Sequence, residues 1–193
     1  MSATIAVVLA AGAGTRFRGP GHKLDASVDG RSILDRAVGT ALDAAVGPVV
    51  VVTAGQIRTT LHPAVVHVLN DRWADGQATS LQAGIAAAED LGAGAVVVGL
   101  GDQPFVTVEA WRAVATADGP IVMASYGHRR GHPVRLRQDV WALLPTDGDE
   151  GARALVRLRP DLVTAVPCDG SPIDIDTVED LWRWQNNSST SSP

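Results

Sequence analysis

Residues Val7 to Lys23 read VVLAAGAGTRFRGPGHK, an apolar run that gives way to small residues and then to two cations, Arg16 and Lys23. Side-chain-poor backbone at the end of a strand exposes several N–H groups within a small arc, and such a concavity binds anions. Leu9, Ala10, Ala11, Gly12, Ala13 and Gly14 therefore read as a cradle for a polyphosphate, with Arg16 and Lys23 adding full positive charge. A dinucleotide fingerprint fails because its third glycine would fall on Phe17, and a Walker A loop fails because Leu24 follows Lys23. A tight turn carrying incidental basic residues is the competing reading.

A second segment, Val96 to Pro104 (VVVGLGDQP), brings a carboxylate to the end of another apolar run. In open α/β sheets ligands bind at the carboxyl ends of the strands, so Asp102 would face the phosphate cradle. Mg²⁺ takes one or two carboxylates and completes its shell with phosphates and water, which suits Asp102. An aspartate that only shapes its own turn is the alternative. In Ile173 to Asp180 (IDIDTVED), Asp174 and Asp176 would share a face if extended. One of them could complete a metal site; taken alone, Asp176 reads rather as an acid that favours the helix start that follows.

Three further segments carry weaker signals. Asn70 to Gly84 (NDRWADGQATSLQAG) is a polar loop running into Thr79 and Ser80, which would open a helix and offer hydroxyl and N–H groups to a nucleotide. An ordinary N-cap explains the same residues. Gly127 to Val134 (GHRRGHPV) reads as a solvated loop, yet with the later GDEGAR it could supply His132 and Arg153 to an anionic second substrate. The two histidines have no partner at metal-ligand spacing. The single Cys168 rules out an internal disulfide and reads as a structural thiol.

These residues need a scaffold that gathers strand ends. Continuous apolar runs at 5–9, 49–53, 65–69, 95–100, 121–125 and 163–166 suit strands buried on both faces. Helical patterns at 32–45, 80–91, 107–117, 151–158 and 177–185 alternate with them, Thr107 reading as an N-cap and Thr177 to Asp180 as a capping box. The order predicts one α/β domain, a mostly parallel sheet with helices on both faces, over residues 1–185. Residues 186–193 (NNSSTSSP) read as a disordered tail. A net charge of −5 argues against nucleic acid or an anionic membrane surface as partner. No apolar run reaches bilayer-spanning length and the N-terminus lacks a basic leader region, so a cytoplasmic location is expected.

Taken together, LAAGAGTR-F followed by Lys23, GDQP, GHPV, GDEGAR and DIDTVEDL resemble the molybdenum-cofactor nucleotidylyltransferases, most closely the cytidylyltransferase branch and its MobA-like relatives. The resemblance runs from residue 7 to residue 181. It implies a Rossmann-like, nucleotide-diphospho-sugar transferase-like fold and an Mg²⁺-dependent reaction. In that reaction a nucleoside triphosphate is joined to a phosphate monoester of molybdopterin type, with release of pyrophosphate. Arg16, Lys23 and Asp102 would be catalytic, residues 9–14 and Ser80 would hold the nucleotide, and Asp102 and Asp176 the metal. His132 and Arg153 would lie on the acceptor side. DIDT resembles the cytidylyl branch and favours CTP over GTP. A molybdoenzyme or its insertion chaperone is the implied protein partner. The interval from Arg16 to Lys23 exceeds the family's usual spacing, so Lys23 could sit differently or bind only when the loop closes. Transfer to a sugar phosphate or phospholactate-type acceptor, or nucleotide binding without catalysis in cofactor insertion, are the other readings.

Overall fold

The computed structural model describes residues 3–188. Seven strands form one sheet: β1 (Ala3–Ala10), β4 (Val49–Thr53), β5 (Val65–Leu69), β6 (Ala93–Leu100), β7 (Ile121–Tyr126), β8 (Arg129–Arg137) and β9 (Val163–Pro167). Their order is β5-β4-β1-β6-β8-β7-β9, and a small hairpin, β2 (Ser27–Val28) and β3 (Arg31–Ser32), stands apart. All strands of the large sheet run parallel except β8, which is antiparallel to both β6 and β7.

Alternate residues of each central strand feed opposite faces, which is why these strands are apolar throughout. From β1, Ala6, Val8 and Ala10 join one core with α1 (Ile33–Ala44), α3 (Val108–Thr116) and Leu181 of α5 (Val178–Ser188). Ile5, Val7 and Leu9 join the other core with α2 (Gln77–Asp90) and Leu155 of α4 (Ala152–Leu158). The result is the three-layer, Rossmann-like architecture anticipated above. The chain passes from β1 through α1 to β4 on one side and from β5 through α2 to β6 on the other, so the crevice between the ends of β1 and β6 is the natural ligand position.

Helix ends follow their caps. Ser32 accepts from the Asp35 amide (3.0 Å) and Thr107 from the Ala110 amide (3.1 Å). Thr177 and Asp180 exchange hydrogen bonds as the capping box requires, at 3.0 and 3.1 Å.

Three expectations need correction. The segment read as a solvated loop is strand β8, in the middle of the sheet. Of its cations, Arg135 donates to the Ala115 carbonyl in the last turn of α3 and to the Gly119 carbonyl just beyond it (3.2 and 2.7 Å), where a helix terminus favours positive charge. Helix α2 begins at Gln77, with Gly76 as N-cap, so Thr79 and Ser80 lie inside the first turn rather than opening it. Finally, α5 continues to Ser188, making the first three residues of the anticipated tail helical, and residues 189–193 lie outside the described residues. No helix among the described residues is long and apolar enough to cross a membrane.

Candidate active site

At the C-terminal edge of the sheet, β1 ends at Ala10 and residues 11–22 loop away before a short 3₁₀ turn, Lys23–Asp25. The Phe17 amide closes the loop on the Gly14 carbonyl (3.0 Å), and His22 Nε2 lies 3.1 Å from the Gly12 carbonyl. Buried Phe17 and Leu24 anchor its two limbs in the core. Between those anchors the small residues leave backbone facing the crevice. Ala11, Gly12 and Ala13, with Leu9, line a cavity of about 310 Å³. Ala10 is instead packed in the core, and Gly14 turns the loop at φ 62°.

The lysine anticipated on the triphosphate is turned inward. Lys23 is 8% exposed, and its Nζ donates to Asp102 Oδ2 (2.7 Å) and Asp176 Oδ1 (2.9 Å). Burial works against its charge, but Asp102 and then Asp176 more than offset it, so its pKa lies above the ordinary value. Arg16, three-quarters exposed, reaches the other oxygen of Asp176 at 2.9 Å. Arg16, Lys23, Asp102 and Asp176, chosen from separate stretches of sequence, thus form one charged cluster.

Two backbone bonds assemble it. Gly101 N–H donates to the Leu9 carbonyl (2.9 Å), binding the ends of β6 and β1 together. A Cβ at Gly101 would stand 3.0 Å from Ala10 Cβ and 3.0 Å from Leu34 Cδ1, which leaves little room for a side chain there. The Ile175 amide donates to the Asp102 carbonyl (3.0 Å), and its fully buried side chain pins the segment that carries Asp176.

The acids expected to share a face part company in their partners. Asp176 meets Lys23 and Arg16, whereas Asp174 accepts from Gln103 Nε2 (2.7 Å) and lines a different cavity. Burial, and then the charge on Asp102, raises the Asp174 pKa, with Asp176 adding to the effect.

The first cavity is closed by α2 and the loop before α4. Trp73, Gly76, Gln77, Ser80 and Asp149 line it together with Asp102. Ser80 is fixed by Asn70 Nδ2 (3.0 Å). Asp149 was not anticipated. It arrives because Gly148 is clasped to the start of α2, its N–H donating to the Asp75 carbonyl and its carbonyl accepting from Ala78, each at 2.9 Å. Gly76 allows that clasp, since a Cβ there would lie 2.3 Å from the Gly148 carbonyl carbon.

A second cavity, about 150 Å³, adjoins the first across Leu100. It opens because the β7–β8 pairing slips: Met123 pairs with Val134 but Ala124 pairs with Gly131, so His132 and Pro133 bulge from the ladder. Bulges re-aim side chains, and this one delivers His132 to the cavity beside Arg129, Arg130 and Arg153. The two acceptor-side residues named from sequence, His132 and Arg153, are therefore brought together. Burial, and then Arg153, pushes the His132 pKa down to about 4.

That depression has a testable sign. An unfolded histidine titrates near pH 6.5, so between about pH 6.5 and 4 the unfolded chain binds the extra proton and the native state does not. Stability is expected to be unaffected by His132 above pH 6.5 and to fall as pH drops toward 4. The cost is on the order of 3 kcal/mol at the low end. Thermal unfolding across this range should show a shallower pH slope for His132→Asn than for the parent.

With the geometry established, comparison with known proteins is informative. Residues 6–163 match the model of the MobA-like NTP transferase domain. The chain belongs to that family. No curated protein matches it at comparable significance. Among solved structures, Rv0371c from Mycobacterium tuberculosis H37Rv superposes with a TM-score of 0.82 at 26% identity, covering 96% of this chain and 98% of that one. A nucleotidyl transferase from Methanothermobacter thermautotrophicus, Mth528, gives 0.82 at 24% identity, covering 98% and 99%. A manganese complex of Rv0371c gives 0.79 at 25% identity, covering 96% and 99%. The MobA-like chain is thus a nucleotidyltransferase on a Rossmann-like fold.

Proposed function

We propose that this transferase joins the nucleotidyl group of CTP to a phosphate monoester of molybdopterin type and releases pyrophosphate, with Mg²⁺ as cofactor. The observation that carries the reading is the convergence of Asp102 and Asp176 on one cation, Lys23 Nζ, beside two adjoining cavities. One cavity is lined by small residues of the β1 loop and the other by arginines.

The carboxylate pair fits a divalent ion. Two side-chain oxygens already aim at a single positive centre, and Mg²⁺ needs only one or two carboxylates when phosphates and water complete its shell. The manganese complex of Rv0371c is in keeping with such a site. Asp102 and Asp176 would hold the ion, which would neutralise charge on the triphosphate.

The chain's own residues do the rest. An attacking phosphate monoester is largely dianionic at neutral pH, its second pKa being about 6, so no general base is needed. His132, held neutral, is not asked to act as one. The task is to bring two anions together: the β1 loop and Ser80 hold the nucleotide, Arg16 and Lys23 offset its charge, and His132 and Arg153 receive the acceptor. Arg16, exposed and on a loop, is free to swing from Asp176 to the phosphates. The resemblance of Asp174-Ile175-Asp176-Thr177 to the cytidylyl branch supports CTP. A molybdoenzyme or its insertion chaperone would receive the product, and a cytoplasmic location suits that exchange.

Pyrophosphate release should be measured with CTP, GTP, ATP and UTP, each with and without molybdopterin, in Mg²⁺. Release with CTP that depends on molybdopterin is the expected result. Release with a sugar phosphate or phospholactate instead would keep the chemistry and replace the acceptor. Nucleotide binding with no release on any acceptor would refute catalysis.

A further inference from the structure

The acceptor cavity is not uniformly cationic. Arg129, Arg130 and Arg153 share it with one carboxylate, Asp174, and no ion pair among the described residues joins that carboxylate to an arginine. The charges that weigh on Asp174 are Asp102, Asp176 and Lys23, not the arginines. Asp174 comes from the segment before α5, Arg129 and Arg130 from β8 and Arg153 from α4, so the negative and positive walls belong to different elements.

Asp174 is also held in place. Gln103, 6% exposed, donates from Nε2 both to the Pro172 carbonyl (3.1 Å) and to Asp174 Oδ1 (2.7 Å). Both partners are acceptors, so the orientation of the amide is fixed and Asp174 is presented in one rotamer. Its second oxygen has no hydrogen-bond donor among the described residues. A carboxylate can only accept hydrogen bonds and repels anions.

We infer that Asp174 is a specificity-determining residue: it selects acceptors whose body, apart from the reacting phosphate, presents N–H or O–H donors, and it rejects acceptors that place a carboxylate against that wall. The inference rests on the nucleotidyltransferase reading of the site and deepens it. A heterocycle with ring N–H groups satisfies both walls, donors toward Asp174 and anionic or carbonyl atoms toward the arginines. A phosphorylated hydroxy acid such as phospholactate has no donor outside its phosphate and would meet Asp174 with repulsion. Discrimination of this kind combines an attractive contact for one ligand with a repulsive one for the other. A site built to receive hydrogen bonds penalises a ligand that lacks the donor.

The test compares kcat/KM for molybdopterin, which carries N–H donors, with that for phospholactate, which carries none, and reads the ratio. Acceptor binding by calorimetry gives the same ratio without turnover. In the parent the ratio should favour molybdopterin. In Asp174→Asn and Asp174→Ala it should fall on the order of tenfold or more, with phospholactate gaining. A purely structural role would weaken both acceptors together and leave the ratio unchanged, which would overturn the inference, as would a parent that prefers phospholactate. If the parent releases no pyrophosphate, the proposed function falls. The binding ratio still decides the role of Asp174.

Discussion

Replacing Asp102 with alanine should lower kcat for pyrophosphate release by about 10²–10³ or more, the loss typical when a preorganised electrostatic group leaves a site. The geometry concentrates the effect. Asp102 is the acid at the end of β6, directly across from the β1 loop, and it lines the cavity proposed for the nucleotide, which Asp176 does not. In the proposed reaction it would therefore face the triphosphate, and it shares Lys23 with the second acid. The stability cost should be smaller than the catalytic one. Lys23 keeps its 2.9 Å bond to Asp176, and Ile175 keeps its bond to the Asp102 backbone carbonyl, which substitution leaves intact. A destabilisation of about 1–3 kcal/mol is expected from the buried ammonium losing one partner, readable as a lower melting temperature. Asp102→Asn, which keeps the shape and loses the charge, should be nearly as inactive and closer to the parent in stability. Near-parental turnover in either variant would remove Asp102 from the chemistry.

The parts of this site legible in sequence were those written as contiguous grammar. The glycine-rich end of β1 and the Gly-Asp end of β6 each tie a strand terminus to a functional group within a few residues, so position in the sheet follows from the apolar run itself. Strands such as β4, VVVVT, were equally legible because burial on both faces leaves no polar position.

What could not be read was set by contacts between distant segments. Strand β8 was concealed by its arginines and by Pro133. Arg135 is tolerated because carbonyls in and just beyond the last turn of α3 receive it, and the proline because it falls in a bulge, two facts that exist only in the folded chain. Asp149 enters the nucleotide cavity through the clasp between Gly148 and the start of α2, and no local pattern announces that clasp. The Asp29-Gly30 turn, with φ of 48° and 80°, is by contrast a local hairpin signal, and it joins β2 to β3. The long interval between Arg16 and Lys23 proved informative. The added residues let the chain turn back through His22 and carry Lys23 beneath the loop, to the carboxylates.

That inward position makes Lys23→Met the variant with two opposite readouts. Turnover should fall by about 10²–10³, because a cation that balances the triphosphate has been lost. Metal binding in the absence of nucleotide should move the other way. In the parent the ammonium lies 2.7 Å from Asp102 and 2.9 Å from Asp176, so it occupies the very oxygens that a divalent ion would use. With its pKa above the ordinary value, it stays charged throughout the neutral range and yields only as pH rises beyond that of free lysine. Removing it leaves Arg16, on Asp176, as the remaining counter-charge to the two carboxylates. Like charges within a few ångströms of each other repel on the order of 3 kcal/mol at an effective dielectric of about 20; Arg16 offsets part of this at Asp176, and a divalent cation relieves the rest. Calorimetric titration with Mn²⁺, no nucleotide present, should therefore give an affinity on the order of tenfold tighter for Lys23→Met than for the parent. In the parent, nucleotide should strengthen Mn²⁺ binding, because phosphates offer Lys23 another partner and free the carboxylates. In the variant that coupling should be largely gone. Equal or weaker Mn²⁺ binding by Lys23→Met would show that the lysine and the ion do not compete, and the second ligand would then have to be sought away from Asp176.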